Sequence, residues 1–340
     1  MNPQIYENKI FEVKNNEKFE ELSLQIFNYQ SQNNKIYKQY LKYLKINPKT
    51  IKSTTEIPFL PIEFFKSRKV ICNFDKNHQY TQFKSSGTTS TSSKIASFAQ
   101  LNRSTHYVNK LSVYEKAFLN GFSYFYGDVK NYTILALLPS YLEQGDSSLV
   151  YMVDKLISLS QNKDSGFYLN NLDQLADKLN SLINTNQKII LFGVSYALLD
   201  FAEKYKLKQN QTIIIETGGM KGRRKELTRT ELHQRLTKSL GVKTIHSEYG
   251  MTELLSQAYS TGHEIFEPSN TMKILIRDTN DPFSYLPNGK TGGINIIDLA
   301  NLYSCSFIET KDLGKLLPNN KFEILGRFDN SDIRGCNLLI

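Results

Sequence analysis

The segment FKSSGTTSTSSK, Phe83 to Lys94, crowds hydroxyl side chains around a single glycine, carries no acid and ends on a lysine. Unpaired hydroxyls are costly to bury, and Ser and Thr compete with helix and sheet for local backbone bonds, so the run is expected in a loop. Ser85, Ser86, Gly87, Thr88 and Thr89 offer hydroxyls and backbone N–H groups, and Lys94 offers a positive charge; together they suit a polyphosphate. Three more polar clusters follow along the chain. ETGGMKGRRK places Gly218 and Gly219 where a flat ring could approach the backbone. SEYGMTEL presents Tyr249, Gly250, Thr252 and Glu253 within a few residues, and IETKDLG contributes Asp312. Taken together they supply what an adenine nucleotide needs: phosphate donors, a carboxylate for Mg²⁺, a ring for adenine and an acid for ribose hydroxyls. Taken singly, each has a structural explanation as a linker, a turn, a core aromatic or a helix start.

These groups must be positioned by regular elements. EKFEELSLQIFNYQ (Glu17 to Gln30) and NKIYKQYLKYLKIN (Asn34 to Asn47) space their apolar residues by three and four, which predicts two amphipathic helices. TEIPFLPIEFFK, with two prolines among aromatics, predicts an extended arm. Beyond residue 100 helical and strand patterns alternate. Helices are expected over Ser104–Phe122, Ser147–Leu159, Asn171–Leu182, a stretch ending near Tyr205, and Lys225–Leu240. Strands are expected over Tyr132–Pro139, Lys188–Gly193, Gln211–Gly219 and Val242–Gly250. Short β-branched runs between amphipathic helices imply an α/β protein with parallel strands and a sheet covered on both faces. After Pro268 the short strands and turn residues predict an antiparallel subdomain. In an open α/β sheet ligands bind beyond the carboxyl ends of the strands, where ETGG and SEYGMTE fall.

Composition narrows the classes. With 40% hydrophobic and 22% charged residues over 340 positions, the chain has ordinary globular usage and length enough for a large core. The longest apolar stretch, Lys188 to Ala202, contains Gly193, Ser195 and Asp200 and is too short to span a bilayer, so no transmembrane segment is expected. The amino-terminal residues show no secretory signal pattern, which points to the cytoplasm. Cys72, Cys305 and Cys336 are too few and scattered for a disulfide framework or a zinc site. The charge of +9 comes from lysines spread along the chain rather than gathered in a block, which argues against a nucleic-acid partner.

The hydroxyl loop is not a GxxxxGK[ST] phosphate loop. It resembles the Ser/Thr/Gly-rich loop of the adenylate-forming enzymes, the acyl- and aryl-CoA synthetases, peptide-synthetase adenylation domains and luciferases. TGG, YGMTE, the aspartate of TKD and GRFD (Gly326 to Asp329) follow in that superfamily's order. PFLPIEFFK, SSGTTSTSSK, PSYLEQGDSSLVYMV and the terminal DIRGCNLLI resemble most closely the LuxE-type acyl-protein synthetases, and this likeness covers nearly the whole chain. It implies a large adenylation domain of layered, mostly parallel sheets with helices and an antiparallel subdomain. Residues 1–80 would form a helical entrance and arm, 81–329 the adenylation core, and 330–340 a tail. Two departures stand out: Ser90 and Ser93 stand near the places of a usual Gly and Pro, and the sequence stops soon after GRFD, lacking most of the small carboxyl-terminal domain.

By this resemblance ATP and Mg²⁺ are the cofactors and a fatty or related carboxylic acid is the substrate. Ser85, Ser86, Gly87, Thr88, Thr89 and Lys94 would hold the β- and γ-phosphates, Thr252 the α-phosphate, and Glu253 the metal. Gly218, Gly219, Tyr249 and Gly250 would frame adenine, and Asp312 and Arg327 the ribose. A carboxyl-terminal cysteine becomes acylated in the LuxE-type enzymes, and Cys336 in RGCNLLI matches it, with Arg334 nearby to favour the thiolate. Delivery would then be to an acyl reductase, a carrier protein or an acyltransferase. YTILALLP and the segment around Phe192 are candidate walls of an apolar acyl pocket. Two rival readings share the nucleotide motifs: a stand-alone ligase using CoA or another soluble acceptor, and a non-catalytic nucleotide- or acyl-binding partner.

Overall fold

The computed structural model describes residues 3–86, 103–139, 145–183, 185–208, 211–218 and 227–328. The two amino-terminal helices form close to expectation, over Asn16–Asn33 and Lys35–Tyr43. Asn15 caps the first by accepting from the Lys18 N–H, and Asn34 ends it and caps the second through the Ile36 and Tyr37 N–H groups. Phe19, Leu22, Ile26 and Phe27 line the buried stripe. Gln30, on that stripe, donates to the backbone oxygens of Asn301 and Leu302 and accepts from the Ser306 N–H. These bonds dock the helix on the segment that leads into the antiparallel sheet.

In the arm, strand β1 (Leu60–Pro61) pairs parallel to a later strand, followed by one helical turn at Phe64–Ser67. β2 (Thr81–Lys84) pairs antiparallel with β3 (Thr105–Val108). This corrects the helix expected over Ser104–Phe122, which instead spans Leu111–Tyr126. His106 and Val108 are buried while Thr105 and Tyr107 are partly exposed, a two-residue period that marks a strand.

The seven-stranded sheet contains β4 (Tyr132–Leu137), β5 (Gly166–Phe167), β6 (Lys188–Val194), β7 (Thr212–Thr217), β8 (His246–Tyr249), β9 (Ala258–Ser260) and β10 (Glu267–Pro268). Its order is β10-β9-β8-β7-β6-β4-β5, with β5, β4, β6, β7 and β8 parallel and the last two strands antiparallel. Every residue of β4 is buried, as expected of a parallel strand covered on both faces. Helices Ser148–Ser160, Leu172–Leu182, Ser195–Lys204 and Arg229–Leu240 lie between the strands. The last has a Thr228/Glu231 capping box, and Gly241 ends it at φ 68°.

After Pro268 the expected antiparallel region appears as a five-stranded sheet. It joins β11 (Met272–Arg277), β12 (Thr291–Asp298), β13 (Phe307–Leu316) and β14 (Phe322–Arg327), with β1 parallel to β13. Phe192 and the β4 residues are core side chains. Cys72 and Cys305 are buried free thiols. Among the described residues no helix is long and apolar enough to cross a membrane.

Candidate active site

β2 and β3 hold the two ends of the hydroxyl loop side by side. The Ser85 N–H donates to Ser104 O at 3.0 Å, and the Ser104 N–H donates to Ser85 Oγ at 3.0 Å. Arg103 clamps this base: its guanidinium donates to the Ser85 and Lys84 oxygens and pairs with Asp146 at 3.0 Å. Asp146 in turn accepts the Lys84 N–H through its backbone oxygen at 2.7 Å. Ser86 is exposed at the point where the chain enters the loop. Gly87, Thr88, Thr89 and Lys94 lie outside the described residues, as do Gly219 and Cys336.

The loop after β8 is fixed from three directions. His106 of β3 donates through Nδ1 to the Thr252 oxygen at 3.0 Å. Burial pushes the imidazole down to about 4, so it is neutral and its Nε2, which has no partner, is an acceptor. Asn301 donates through Nδ2 to the Glu253 oxygen at 2.8 Å and to the Cys305 oxygen at 3.2 Å. Asp298 accepts from the N–H groups of Leu255, Ser256 and Ala300 and from Ser256 Oγ at 2.6–3.0 Å. Thr252 and Glu253 are thereby held through their backbones. None of these anchors was singled out from the sequence, since His106, Asp298 and Asn301 sit in strand and turn patterns that carry no motif.

Glu253 is almost fully buried. Burial raises its proton affinity, opposed by a hydrogen bond from Ser104 and by the charges of Arg327 and Lys66. A buried carboxylate with hydroxyl and cationic neighbours at a loop base suits a hard cation carrying phosphates. Among the described residues no group of three or more His, Cys, Asp or Glu side chains forms a closed metal cage.

Tyr249 and Asp312 meet where the two sheets meet. The Tyr249 hydroxyl donates to Asp312 Oδ2 at 2.7 Å, and Arg327 Nε lies 3.2 Å from Asp312 Oδ1. Arg327 is 71% exposed while Asp312 is nearly closed off, so the carboxylate looks out of the core along the arginine. Burial raises Asp312, and Tyr249, Arg327, Arg229 and Arg277 pull it back toward the ionised form. The Tyr249 ring stands against the rings of Phe266 and Phe322 at 6.1 and 5.8 Å. At Gly250 an added Cβ would come 2.4 Å from Glu248 Oε1, so the backbone there lies directly against that carboxylate.

Gly218 closes β7 with φ 66°, and its oxygen accepts from Ser195 Oγ at 2.5 Å. Ser195 also donates to Glu216 Oε2 at 2.9 Å, while Arg229 Nε approaches Glu216 Oε1 at 3.3 Å. Burial works against the Glu216 charge, but His233, Arg229 and Ser247 outweigh it and hold its carboxyl below the usual range. This network fixes the start of the TGG turn. Of the sequence candidates, the structure therefore brings together Ser85 with Ser104 and Glu253, and Tyr249 with Asp312 and Arg327; the Arg327 charge reaches Glu253 as well.

Solved structures share this fold. ATP-bound MatB from Rhodopseudomonas palustris superposes with TM-score 0.54 at 14% identity, covering 72% of this chain and 47% of that one. The chain thus spans about half of MatB's length. 2-Hydroxyisobutyryl-CoA ligase in the postadenylation state, in complex with 2-HIB-AMP, superposes with TM-score 0.65 at 11% identity, covering 92% of this chain and 68% of that one. The architecture expected from the motif order is that of the adenylate-forming ligases. No curated protein sequence matches the chain. The family described as acyl-protein synthetase, LuxE, matches residues 4–340. The chain belongs to the LuxE acyl-protein synthetase family.

Proposed function

We propose that the protein uses ATP and Mg²⁺ to activate a fatty or related carboxylic acid as its acyl adenylate, takes the acyl group onto Cys336 as a thioester, and passes it to a partner. The observation that carries this reading is the Tyr249–Asp312–Arg327 chain at the carboxyl edge of the parallel sheet, with the anchored Thr252–Glu253 pair on the same loop. Solved structures of the same fold hold ATP in MatB and 2-HIB-AMP in 2-hydroxyisobutyryl-CoA ligase.

In the first step an oxygen of the carboxylate attacks the α-phosphorus, the bond to the bridging oxygen breaks, and pyrophosphate leaves. Positioning and charge stabilisation suffice for such a transfer, so no general base is needed. Ser85, Ser86, Gly87, Thr88, Thr89 and Lys94 hold the β- and γ-phosphates, and Thr252 the α-phosphate. Glu253 would hold Mg²⁺, which neutralises charge on the phosphates. Gly218, Gly219, Tyr249 and Gly250 frame adenine, while Asp312 and Arg327 take the ribose hydroxyls. In the second step the Cys336 thiolate attacks the acyl carbon, the bond to the phosphate oxygen breaks, and AMP leaves. Cys72 and Cys305 do not compete as acceptors: both are buried, and burial raises both thiols, Cys305 to about 12. Free thiols suit a reducing compartment, and we place the reaction in the cytoplasm. An acyl reductase, a carrier protein or an acyltransferase fits as the receiver.

Intact mass after incubation with Mg²⁺, ATP and a fatty-acid mixture tests this reading in the wild type and in Cys336→Ser, with pyrophosphate release followed in parallel. The expected result is an ATP-dependent, hydroxylamine-labile acyl adduct on the wild type alone, while both proteins release pyrophosphate. Acid-dependent pyrophosphate release without an adduct on either protein would move the acceptor off the chain, and ATP binding without acid-dependent release would remove the catalytic reading.

A further inference from the structure

From Leu22 to Thr55 the chain carries six lysines, no arginine and no acid. Lys35, Lys38, Lys42, Lys45, Lys49 and Lys52 recur every three or four residues, and all six are exposed. Among the described residues no ion pair or side-chain hydrogen bond engages their ammonium groups. The acids that flank the stretch are already engaged. Glu20 pairs with Lys273 at 3.0 Å and Glu21 with Lys18 at 2.7 Å, and Glu56 accepts the Lys52 and Ser53 N–H groups at 2.7 and 3.2 Å.

The helix Lys35–Tyr43 gathers half of this charge on one face. Tyr37 and Leu41 are buried and Ile36 and Tyr40 partly so, which leaves Lys35, Lys38, Gln39, Lys42 and Tyr43 as the exposed arc. At 3.6 residues per turn these five lie within roughly 140° of the helix surface. Tyr43, at 85%, is more exposed than any other large apolar or aromatic side chain among the described residues. Lys45 stands where the chain turns off the helix end, and the exposed lysines continue through the 3₁₀ turn Pro48–Thr50 to Lys52.

Unpaired like charge at this density sets up a positive potential that attracts an anionic surface. The side chains indicate which surface. Lysine is a hydrated point charge on a flexible stem and suits a diffuse layer of phosphates, whereas bidentate reading of single phosphates or bases employs arginine, absent from this stretch. A tyrosine standing out of a lysine face suits the boundary between headgroups and water, where an apolar ring with a polar tip is accommodated. A lysine cluster on an amphipathic helix is the pattern that anionic lipid attracts.

The face also adjoins the candidate active site. Tyr40, at its edge, stands 5.9 Å from Phe64. Phe64 opens the helical turn Phe64–Ser67, and Lys66 in that turn is close enough for its charge to act on Glu253. One helical turn thus links the lysine face to the site, and an aliphatic acid that partitions into lipid would be held near the place where it is consumed.

We propose that the face formed by Lys35, Lys38, Lys42 and Tyr43, continued by Lys45, Lys49 and Lys52, docks the protein reversibly on an anionic phospholipid bilayer, and that the acid to be activated enters from that bilayer. The docking stands independently of the catalytic reading; the entry of the acid rests on it.

The test removes three charges in two places. Lys35→Gln, Lys38→Gln and Lys42→Gln together make the face variant. Lys163→Gln, Lys238→Gln and Lys290→Gln, at exposed lysines elsewhere, make the control. Circular dichroism and unfolding midpoints should coincide with wild type in both. Co-sedimentation with phosphatidylcholine vesicles, with and without phosphatidylglycerol, is measured without ATP or acid. Wild type is expected to bind the anionic vesicles about 100-fold or more tightly than the neutral ones, and to lose that preference at high salt. The face variant should lose about 100-fold on anionic vesicles and the control less than about tenfold. ATP–pyrophosphate exchange with palmitate supplied in anionic vesicles should fall in the face variant and hold in the control. No preference of wild type for anionic vesicles, or equal losses in the two variants, overturns the docking face. Tighter binding of a DNA duplex than of anionic vesicles through the same three lysines would assign the face to nucleic acid and overturn it too. Unchanged exchange from vesicles despite lost binding overturns the bilayer as the source of the acid. Vesicle binding lost in the face variant, with no acid-dependent exchange in any of the three proteins, would instead remove the adenylation reading and leave the docking face standing.

Discussion

Tyr249 of the parallel sheet donates its phenolic hydrogen bond to Asp312 of the antiparallel sheet at 2.7 Å. This bond crosses between two layers whose residues are 63 positions apart in the chain. The group proposed to face adenine and the group proposed to hold ribose are therefore set by one contact. Arg327, arriving on β14 in register with Asp312, binds the other carboxylate oxygen.

Tyr249→Phe should damage both stability and nucleotide binding. It keeps the ring between Phe266 and Phe322 but leaves a buried carboxylate oxygen without its donor, at a cost of about 1–3 kcal/mol. Asp312→Asn keeps an acceptor for Tyr249 and loses the pairing with Arg327, so it should weaken ATP binding with less effect on stability. Urea denaturation and ATP titration on both variants check this. ATP affinity within twofold of wild type in both would remove Tyr249 and Asp312 from the nucleotide site.

Glu248 gives a pH signature. Burial, reinforced by Glu216 and opposed by Thr217, pushes its carboxyl up to about 7. Between the ordinary glutamate value and that raised one the folded protein keeps a proton that the unfolded chain has released. Stability from this group is therefore complete below about pH 4.5 and lost as the pH rises through about 7. Glu248→Gln removes the dependence. Its stability relative to wild type should be near equal at pH 4.5 and rise by on the order of 3 kcal/mol at pH 8. His246, pushed down to about 4 by burial, runs the opposite way, its contribution being lost as the pH falls through that value. It is present in both proteins, as are Tyr114, Tyr126 and Tyr259, so the difference between them reports Glu248. A difference independent of pH would show that Glu248 does not titrate in this window.

Much of the fold was legible because its signals are local. Alternation of β4, β6, β7 and β8 with amphipathic helices follows from periodicity, and the turn-rich sequence after Pro268 does form antiparallel strands. The error at Ser104–Phe122 has a physical origin: β3 has only four residues, and a period of two over that length is masked by the helix that starts at Leu111. The residues proposed for the nucleotide stand out because their types are chemically unusual in sequence. Their supports do not, since Asp298 reaches Leu255 and Ser256 across more than 40 positions, and Arg277 reaches Thr310 across 33. Such bonds exist only once the sheets are assembled. Glu248 escaped for a different reason: within SEYGMTE its chemistry is visible, but only strand register shows that it faces away from Tyr249 and beside Tyr259.

Gly293→Ala tests how Asp312 is held. A Cβ at Gly293 would lie 2.4 Å from Arg277 Cζ. Arg277 is buried and donates to the oxygens of Ile294 and Thr310 and to Asn295 Oδ1 at 2.8–3.0 Å, with Glu309 at 3.6 Å and the Phe328 ring 5.5 Å away. The register of β12 against β13 shifts between Gly293 and Asn295, so the guanidinium fills the irregularity that this glycine leaves. Displacing it would strand several buried acceptors and a buried charge, at a cost of about 3 kcal/mol or more. Thr310 carries the effect to the site, because its Oγ1 accepts the Asp312 N–H at 3.1 Å. Gly293→Ala should therefore lower both the unfolding free energy and ATP affinity. Gly166→Ala, where the nearest atom to the new methyl is the Tyr168 ring at an ordinary 3.7 Å, should change each little. Denaturation and ATP titration on the pair decide it: equal stability of the two variants would mean that the guanidinium can move aside freely and that Arg277 does not hold Asp312 in place.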